Sequence, residues 1–437
     1  MRTEKMFESI NYYERAGILL ALLFTFSIMQ AQEKKDAVWE VLNQETGGPP
    51  ALSPLPTELQ LKYHHMEKQM FIHFTVNNFT GKQWGDGTES PDDFNPTDLD
   101  VEQWVKLAKE TGYKTICLTV KHHDGFCLWP SKYTEHSVKN SKWRNGKGDV
   151  VREFADACKK YGVNISYYLS PWDRHDERYG TEAYNDYFIN QLKELMTEYG
   201  PVKGFWFDGA FGGSTVKDEG KYMSPFAWAE YYKVIRKYAP DAFIEMMGPD
   251  VGWVANEAAV SPKENWYFEP VPYKTPSGVR PGDFPIAYIG STYSQKDAEE
   301  VSAGGQPNYK ATELLRYMPR EANTSILHSW FWTPGSKPKS PQQLRDIYFS
   351  SVGRGSTLML NLTPDYSGQF PQNQGEALRQ MKKEINTIFD ENFARKKKAV
   401  SDKTWNGDKR FSSKNILYEK LGTYWEGEYQ DFTGTLE

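Results

Sequence analysis

From Met70 onward, short apolar runs alternate with stretches in which apolar residues recur every three or four positions. The runs Phe71–Val76, Lys114–Val120, Asn164–Ser170, Gly204–Asp208, Phe243–Met247, Ile326–Trp332 and Thr357–Leu362 have the length and composition of buried strands. Between them, Val101/Trp104/Leu107 and Val151/Phe154/Ala155/Cys158 keep the 3.6-residue period of a helix with one buried face. Gly112 and Gly162 follow those helices where a left-handed cap is wanted. Strands alternating with helices predict parallel β-structure in βαβ units, and no GxGxxG follows the first strand. The expectation is an α/β fold, a closed (β/α)8 barrel, with an eighth strand near Ile286–Tyr288 or Trp266–Phe268.

The two ends read differently. Residues 16–29 are an apolar run too short to span a bilayer comfortably, with Arg15 before it and a small-residue cleavage site after Ala31. Residues 1–31 are therefore expected to be a secretory signal peptide, leaving a mature chain with no membrane span, exported to a periplasmic or extracellular location. After Phe389 the helical pattern stops, and Lys396-Lys397-Lys398 reads as a solvated linker. The stretch from Asn415-Ile416-Leu417 to Gly434-Thr435-Leu436-Glu437 is β-like. The expected plan is a catalytic barrel over 32–390 and, over 391–437, the beginning of a C-terminal β-sandwich that stops mid-domain.

Composition narrows the chemistry. With 52 basic against 58 acidic residues, the net charge of −6 argues against a nucleic-acid partner. Three cysteines cannot form a disulfide framework. Aromatic residues make up 15% of the chain, more than a core needs, and suggest stacking surfaces.

In a barrel, chemistry sits where strands end. The polar residues at those ends are His73, His122-His123-Asp124, Trp172-Asp173, Asp208, Glu257 and His328 with Trp330. Alternation puts Trp206 and Asp208 on one face of their strand. The histidines could hold a metal with Asp208, although neighbouring histidines on a strand point to opposite sides and no HExxH is present. They could instead bond hydroxyl groups, since a neutral imidazole both donates and accepts. With Trp84, Trp129, Trp172, Trp206, Trp253 and Trp330 near the expected loops, the second reading points to a sugar. Glycoside hydrolysis needs two carboxyl groups. Asp208 is one candidate, and Glu245, Glu257, Glu264 and Glu269 stay open as the other, with Glu257 best placed on a loop after Gly248-Pro249.

At these residues the chain resembles glycoside hydrolase family 29, the retaining α-L-fucosidases, and within it the subgroup that prefers α-1,3/1,4-linked fucose. The likeness lies in FIHFTVNNFTGKQWGDGTESPDDFNPT, KHHDGFCLWPS, YLSPWDR, GFWFDGA, GPDVGWVANEA and SILHSWFW followed by SVGRGSTLMLNLTPD. It implies Asp208 as nucleophile and Glu257 as acid/base. It implies that His73, Trp84, His122, His123, Tyr168 and Trp206 hold the sugar and that Trp330 lines the pocket. No cofactor or metal is implied, and the partner is a fucosylated oligosaccharide or glycoconjugate. The expectation is an enclosed Glu257 and an Asp208 hydrogen-bonded by the histidines. Three positions depart from the family pattern: Gln83 in place of Glu, Gly252 in place of Arg and Ala255 in place of Gly. Arg280 is a candidate to supply the missing cation. The alternatives are a related glycosidase with shifted sugar specificity and a sugar-binding protein with a weakened site.

Overall fold

The computed structural model describes residues 56–210, 226–263, 267–271, 314–394, 397–401 and 404–417. Pro56–Asp390 form one compact unit. Along it run α1 (Glu58–His64), β1 (Lys68–Ile72), α2 (Val76–Thr80), α3 (Val101–Glu110), β2 (Thr115–Lys121), α4 (Val150–Tyr161) and β3 (Asn164–Leu169). Then follow α5 (Ala183–Glu198), β4 (Val202–Phe207), α6 (Trp228–Tyr238), β5 (Phe243–Met246), β6 (Gly252–Trp253), β7 (Phe268–Val271) and β8 (Leu314–Tyr317). The unit ends with β9 (Arg320–Ser325), α7 (Pro341–Ser351), β10 (Thr357–Leu362) and α8 (Gln372–Phe389).

Eight strands are hydrogen-bonded in the order β5-β4-β3-β2-β1-β10-β9-β6, every pair parallel. A parallel bridge between Glu245 and Val251 joins the two ends of that row, so the sheet closes on itself as a (β/α)8 barrel. The antiparallel pair β7–β8 stands apart from it, between β6 and β9 in the chain.

Local chemistry explains the regular half. Asp100 and Asp149 cap α3 and α4 by accepting the backbone N–H of Gln103 and Arg152, each at 2.9 Å. Val101, Trp104, Val105, Leu107 and Ala108 form the buried face of α3. Gly162 closes α4 at φ 68°. The strands β1–β4 and β10 are almost wholly buried on both faces, as parallel strands under helices must be.

The other half is irregular. Only Met247–Val251 separate β5 from β6, with no helix, in a turn so tight that a Cβ on Gly248 would lie 2.2 Å from the Ile244 carbonyl oxygen. The seventh strand of the barrel is not Ile326–Trp332 but β9, Arg-Glu-Ala-Asn-Thr-Ser. Its inward positions Glu321, Asn323 and Ser325 are polar yet buried, so it carries no apolar signature. The apolar run that follows is the loop at the barrel mouth, where Ile326, Leu327 and Phe331 are buried. The eighth strand is the short β6; Ile286–Tyr288 lies outside the described residues, and Phe268 belongs to the separate hairpin.

Residues 1–55, the expected signal peptide included, lie outside the described residues. Residues from Glu391 on belong to a second unit. There, Trp405–Gly407, Lys409–Phe411 and Ser413–Leu417 are 3₁₀ turns, so Asn415–Leu417 is not the extended start of a strand. Short polar side chains favour turns over strands: Asp408 accepts the Arg410 N–H at 2.8 Å, and the Asn415 N–H bonds the Ser412 carbonyl at 2.9 Å. Residues 418–437 lie outside the described set.

Candidate active site

The C-terminal ends of the strands surround a cleft. Phe71, His73, Gln83, Trp84, His122, His123, Trp206, Asp208, Met246, Trp253, Glu257, Asn323 and Trp330 line it. Eight of the nine expected site residues are among them; the ninth, Tyr168, reaches the same place by donating its hydroxyl to Asp208 Oδ2 at 2.8 Å.

Asp208 follows β4 directly. Its Oδ1 accepts the Ala210 backbone N–H at 2.8 Å, and Oδ2 takes the Tyr168 hydroxyl. The histidine nearest to it, His123, has Nε2 3.5 Å from Oδ2. The carboxylate is thus oriented by a tyrosine and a backbone amide, rather than by histidines as expected. Asp173 also accepts backbone N–H groups, from His175 and Asp176, but it is buried in an ion pair with Lys121 at 3.0 Å and does not line the cleft.

The histidines are set by their neighbours. A register shift after Thr119 turns Lys121 outward toward Asp173 and Gln191. His122 and His123 then leave the strand together, ring centres 4.2 Å apart, and both face the cleft. The alternation argued from an ideal strand does not apply past its end. His73 Nδ1 meets Asn361 Oδ1 at 2.9 Å, and that oxygen also takes the His73 backbone N–H at 3.1 Å, so Nδ1 is the donor. His122 Nδ1 accepts from Asn77 Nδ2 at 3.3 Å, which places its proton on Nε2. The Ser170 hydroxyl donates to the Trp172 carbonyl at 2.6 Å and so accepts from His123 Nδ1 at 2.8 Å. The free Nε2 atoms of His73, His122 and His123 are therefore acceptor, donor and acceptor. Burial pushes His73 down to about 3, His123 down to about 4 and His122 well below its usual range, so all three are neutral. A row of neutral imidazoles with fixed tautomers suits hydroxyl groups.

Glu257 comes from the loop after β6. Its Oε2 accepts the Trp330 indole N–H at 3.1 Å, and its side chain is exposed, so the expected enclosure by tryptophans is absent. Asn256 pins the loop: its amide donates to the carbonyls of Val254 at 3.0 Å and Val260 at 2.8 Å, and its oxygen accepts the Ala258 and Val260 N–H groups. Ala255 sits at φ 59°, which explains why glycine fits this position without strain. Gln83 accepts the Ser329 hydroxyl at 2.7 Å, leaving its amide N–H groups for the cleft. Gly252 is the first residue of β6, opposite Arg320 on β9. Arg280 lies outside the described residues.

Trp84, 49% exposed, stands at the rim edge-on to Trp172. Buried Glu89 holds its loop by accepting the Asp86 and Gly87 N–H groups, each at 2.8 Å. Gly85 has φ 66° there, and a Cβ would meet Asp124 at 2.7 Å. Trp129 and Trp172 are core residues, and His328 is exposed outside the cleft. Of the other acid candidates, Glu245 is buried among Tyr63 and Gln69, and Glu264 lies outside the described residues. Among the described residues no group of three or more His, Cys, Asp or Glu is arranged to hold a metal ion. Sequence reasoning missed Asn323, Asn77 and Asn361; only Asn361, a lone amide in the apolar strand Thr-Leu-Met-Leu-Asn-Leu, was a visible signal.

A carboxylate at a barrel mouth, a second one across the cleft, aromatic walls and neutral histidines define the site of a glycoside hydrolase. The sequence model of the α-L-fucosidase family matches residues 27–387, and the chain belongs to that family. α-L-Fucosidase 1 of Arabidopsis thaliana is 38% identical over 384 residues, 87% of this chain and 70% of that protein. The crystal structure of a Bacteroides ovatus protein bearing the α-L-fucosidase name matches with TM-score 0.70 and 37% identity, covering 80% of this chain but only 61% of the other. A Ruminococcus gnavus GH29 fucosidase in complex with fucose matches with TM-score 0.70 and 28% identity, over 85% of this chain and 75% of that one.

Proposed function

We propose that the chain is an exo-acting α-L-fucosidase that releases terminal α-1,3/1,4-linked fucose from glycans with retention of configuration. The observation that carries the reading is the pair of differently held carboxyl groups on one cleft. Asp208 is oriented by Tyr168 and Ala210, and Glu257 is exposed on a loop, where it can reach a leaving group.

In this reading Asp208 Oδ attacks C1 while Glu257 gives its proton to the glycosidic oxygen, releasing the rest of the glycan as an alcohol. Glu257, now a carboxylate, takes a proton from water. That water attacks C1 and frees Asp208. His73 and His123 accept hydroxyl protons from the sugar, and His122 donates to a hydroxyl oxygen. Trp206 and Trp330 offer the C6 methyl an apolar wall. Asp208 and Glu257 act together as the catalytic pair. The apolar run at 16–29 supports export and a glycan substrate outside the cell.

One observation favours a second reading. Gln83 presents amide donors where the family pattern has a carboxylate acceptor, which suits a sugar with a different hydroxyl pattern. Incubation with aryl α-L-fucoside, aryl β-D-galactoside, aryl α-L-galactoside and fucosylated trisaccharides of α-1,2, α-1,3 and α-1,4 linkage tests both. The proposal expects free fucose from the α-1,3 and α-1,4 trisaccharides. Faster release of galactose than of fucose would favour the second reading, and no release of fucose from any substrate would overturn the first.

A further inference from the structure

The inner row of β9 reads Glu321, Asn323, Ser325, and none of these was expected in the site. All three are buried. Glu321 Oε1 accepts the Trp206 indole N–H at 3.0 Å and the Asn323 amide N–H at 3.3 Å. Asn323 Oδ1 in turn accepts the Trp253 indole N–H at 3.0 Å. One continuous chain of hydrogen bonds therefore joins the two indoles, on β4 and β6, through a single strand. Further up the same strand, Ser325 Oγ accepts the Asn361 amide N–H at 3.0 Å, and Asn361 holds His73. A polar strand inside a barrel is expensive unless each group is paired or put to use. Here each inward side chain ends on a residue that lines the cleft.

We propose that Glu321 and Asn323 are positioning residues, which set the Trp206 and Trp253 indoles at the angle the bound sugar requires. This rests on the fucosidase reading of the cleft. Two donors converge on one oxygen of Glu321, while Oε2 is buried without a hydrogen-bond partner. That asymmetry is what a neutral carboxylic acid gives, with its carbonyl oxygen doing the accepting. Burial and the neighbouring Glu245 raise the carboxyl well above its ordinary range, in keeping with a retained proton. A glutamine carbonyl can accept the same two bonds, whereas a methionine of the same length cannot. Glu321→Met takes the acceptor from two buried N–H groups, so some loss of stability comes with it, and the split between KM and kcat and the indole resonances, rather than the melting temperature, separate positioning from folding.

The test uses the whole chain, with two readouts. The first is kinetics on an aryl α-L-fucoside. Glu321→Met is expected to raise KM by about tenfold with a smaller change in kcat and a lowered melting temperature, and Glu321→Gln to recover most of each loss. The second is the indole 1H–15N resonances of the sugar-free protein, assigned by Trp206→Phe and Trp253→Phe. Both resonances should move in Glu321→Met and stay near their wild-type positions in Glu321→Gln. If the Met variant does not fold, Asn323→Ser removes the Trp253 bond and the link from Asn323 to Glu321 while keeping the Trp206 bond, and should move the Trp253 resonance more than the Trp206 one. Unmoved indoles in a folded Glu321→Met protein overturn the proposal, as does a Gln variant no better than Met. Indoles that respond in a wild-type protein inactive on every fucoside would uphold the positioning and overturn the fucosidase reading instead.

Discussion

The two sides of the cleft are built differently. Asp208, the histidines and Tyr168 stand on or just past the ends of β1–β4, strands of five to seven residues that are almost wholly buried. Glu257 stands on the other side, past the two-residue β6, where no helix separates β5 from β6. Three residues there, Met246, Ala255 and Ala259, take left-handed φ values of 63°, 59° and 55°. Two of the three departures from the family pattern, Gly252 and Ala255, fall on this side as well. The contrast suggests a division of labour. A group that must meet C1 in line needs a rigid mount. A group that protonates an oxygen and later activates water can sit on a strained, exposed loop, where its surroundings are free to vary.

Breaking the rigid side should cost most. Asp208→Gly is expected to lower kcat by about 10⁴-fold or more on every substrate, whatever the leaving group, because the covalent step is lost. An activated aryl fucoside hydrolysed at near wild-type rate by this variant would show that the nucleophile lies elsewhere. Glu257→Ala should lose about 10²–10⁴-fold on a fucosylated trisaccharide and much less on an aryl fucoside with a good leaving group. Added azide should restore aryl fucoside turnover and give α-fucosyl azide. An unchanged trisaccharide rate would move the acid/base role to another carboxyl.

The buried interior predicts a pH dependence of stability. Burial pushes Asp124 and Glu245 up to about 8, from ordinary values of 3.8 and 4.5. Their contribution to stability is full below those ordinary values and is lost as the pH rises to 8, because the native protein keeps protons that the unfolded chain has released. The buried histidines act with the opposite sign, but only below their ordinary 6.5. Between pH 6.5 and 8 the carboxyls act alone, so the melting temperature should fall across that window, and Glu245→Gln should flatten the fall. A wild-type melting temperature that rises from pH 6.5 to 8 would contradict the assignment. The smallest effect concerns the strained side: Ala255→Gly should stabilise the protein by about 0.5–1 kcal/mol, strain relief exceeding the added chain entropy. Chemical denaturation measures it, and a destabilised variant would mean that Ala255 is not strained.

The same division decided what could be read from the sequence. β1–β4 and β10 were legible as apolar runs because the helices bury their outer face and the barrel interior buries the inner one. β9 was not, since its inward Glu321, Asn323 and Ser325 give it the composition of a loop, while the mouth loop Ile326–Trp332 has the composition of a strand. β6 is too short for any period to register. Asp208 and Trp206 were visible as a polar end to an apolar strand. The choice of Glu257 over three other glutamates came from resemblance, because a loop carries no periodicity to say where its side chains go. Of the asparagines that fix the histidine tautomers, Asn361 stood out only as a lone amide in an apolar strand, and neither partnership was legible, since each spans 45 or more residues.

The central claim is that Asp208 and Glu257 work as a retaining pair. Following the hydrolysis of an α-L-fucoside by 1H NMR, before the sugar mutarotates, tests it most directly. The account predicts that α-L-fucose appears first and the β-anomer only later. β-L-Fucose as the first product would mean that water, not Asp208, attacks C1.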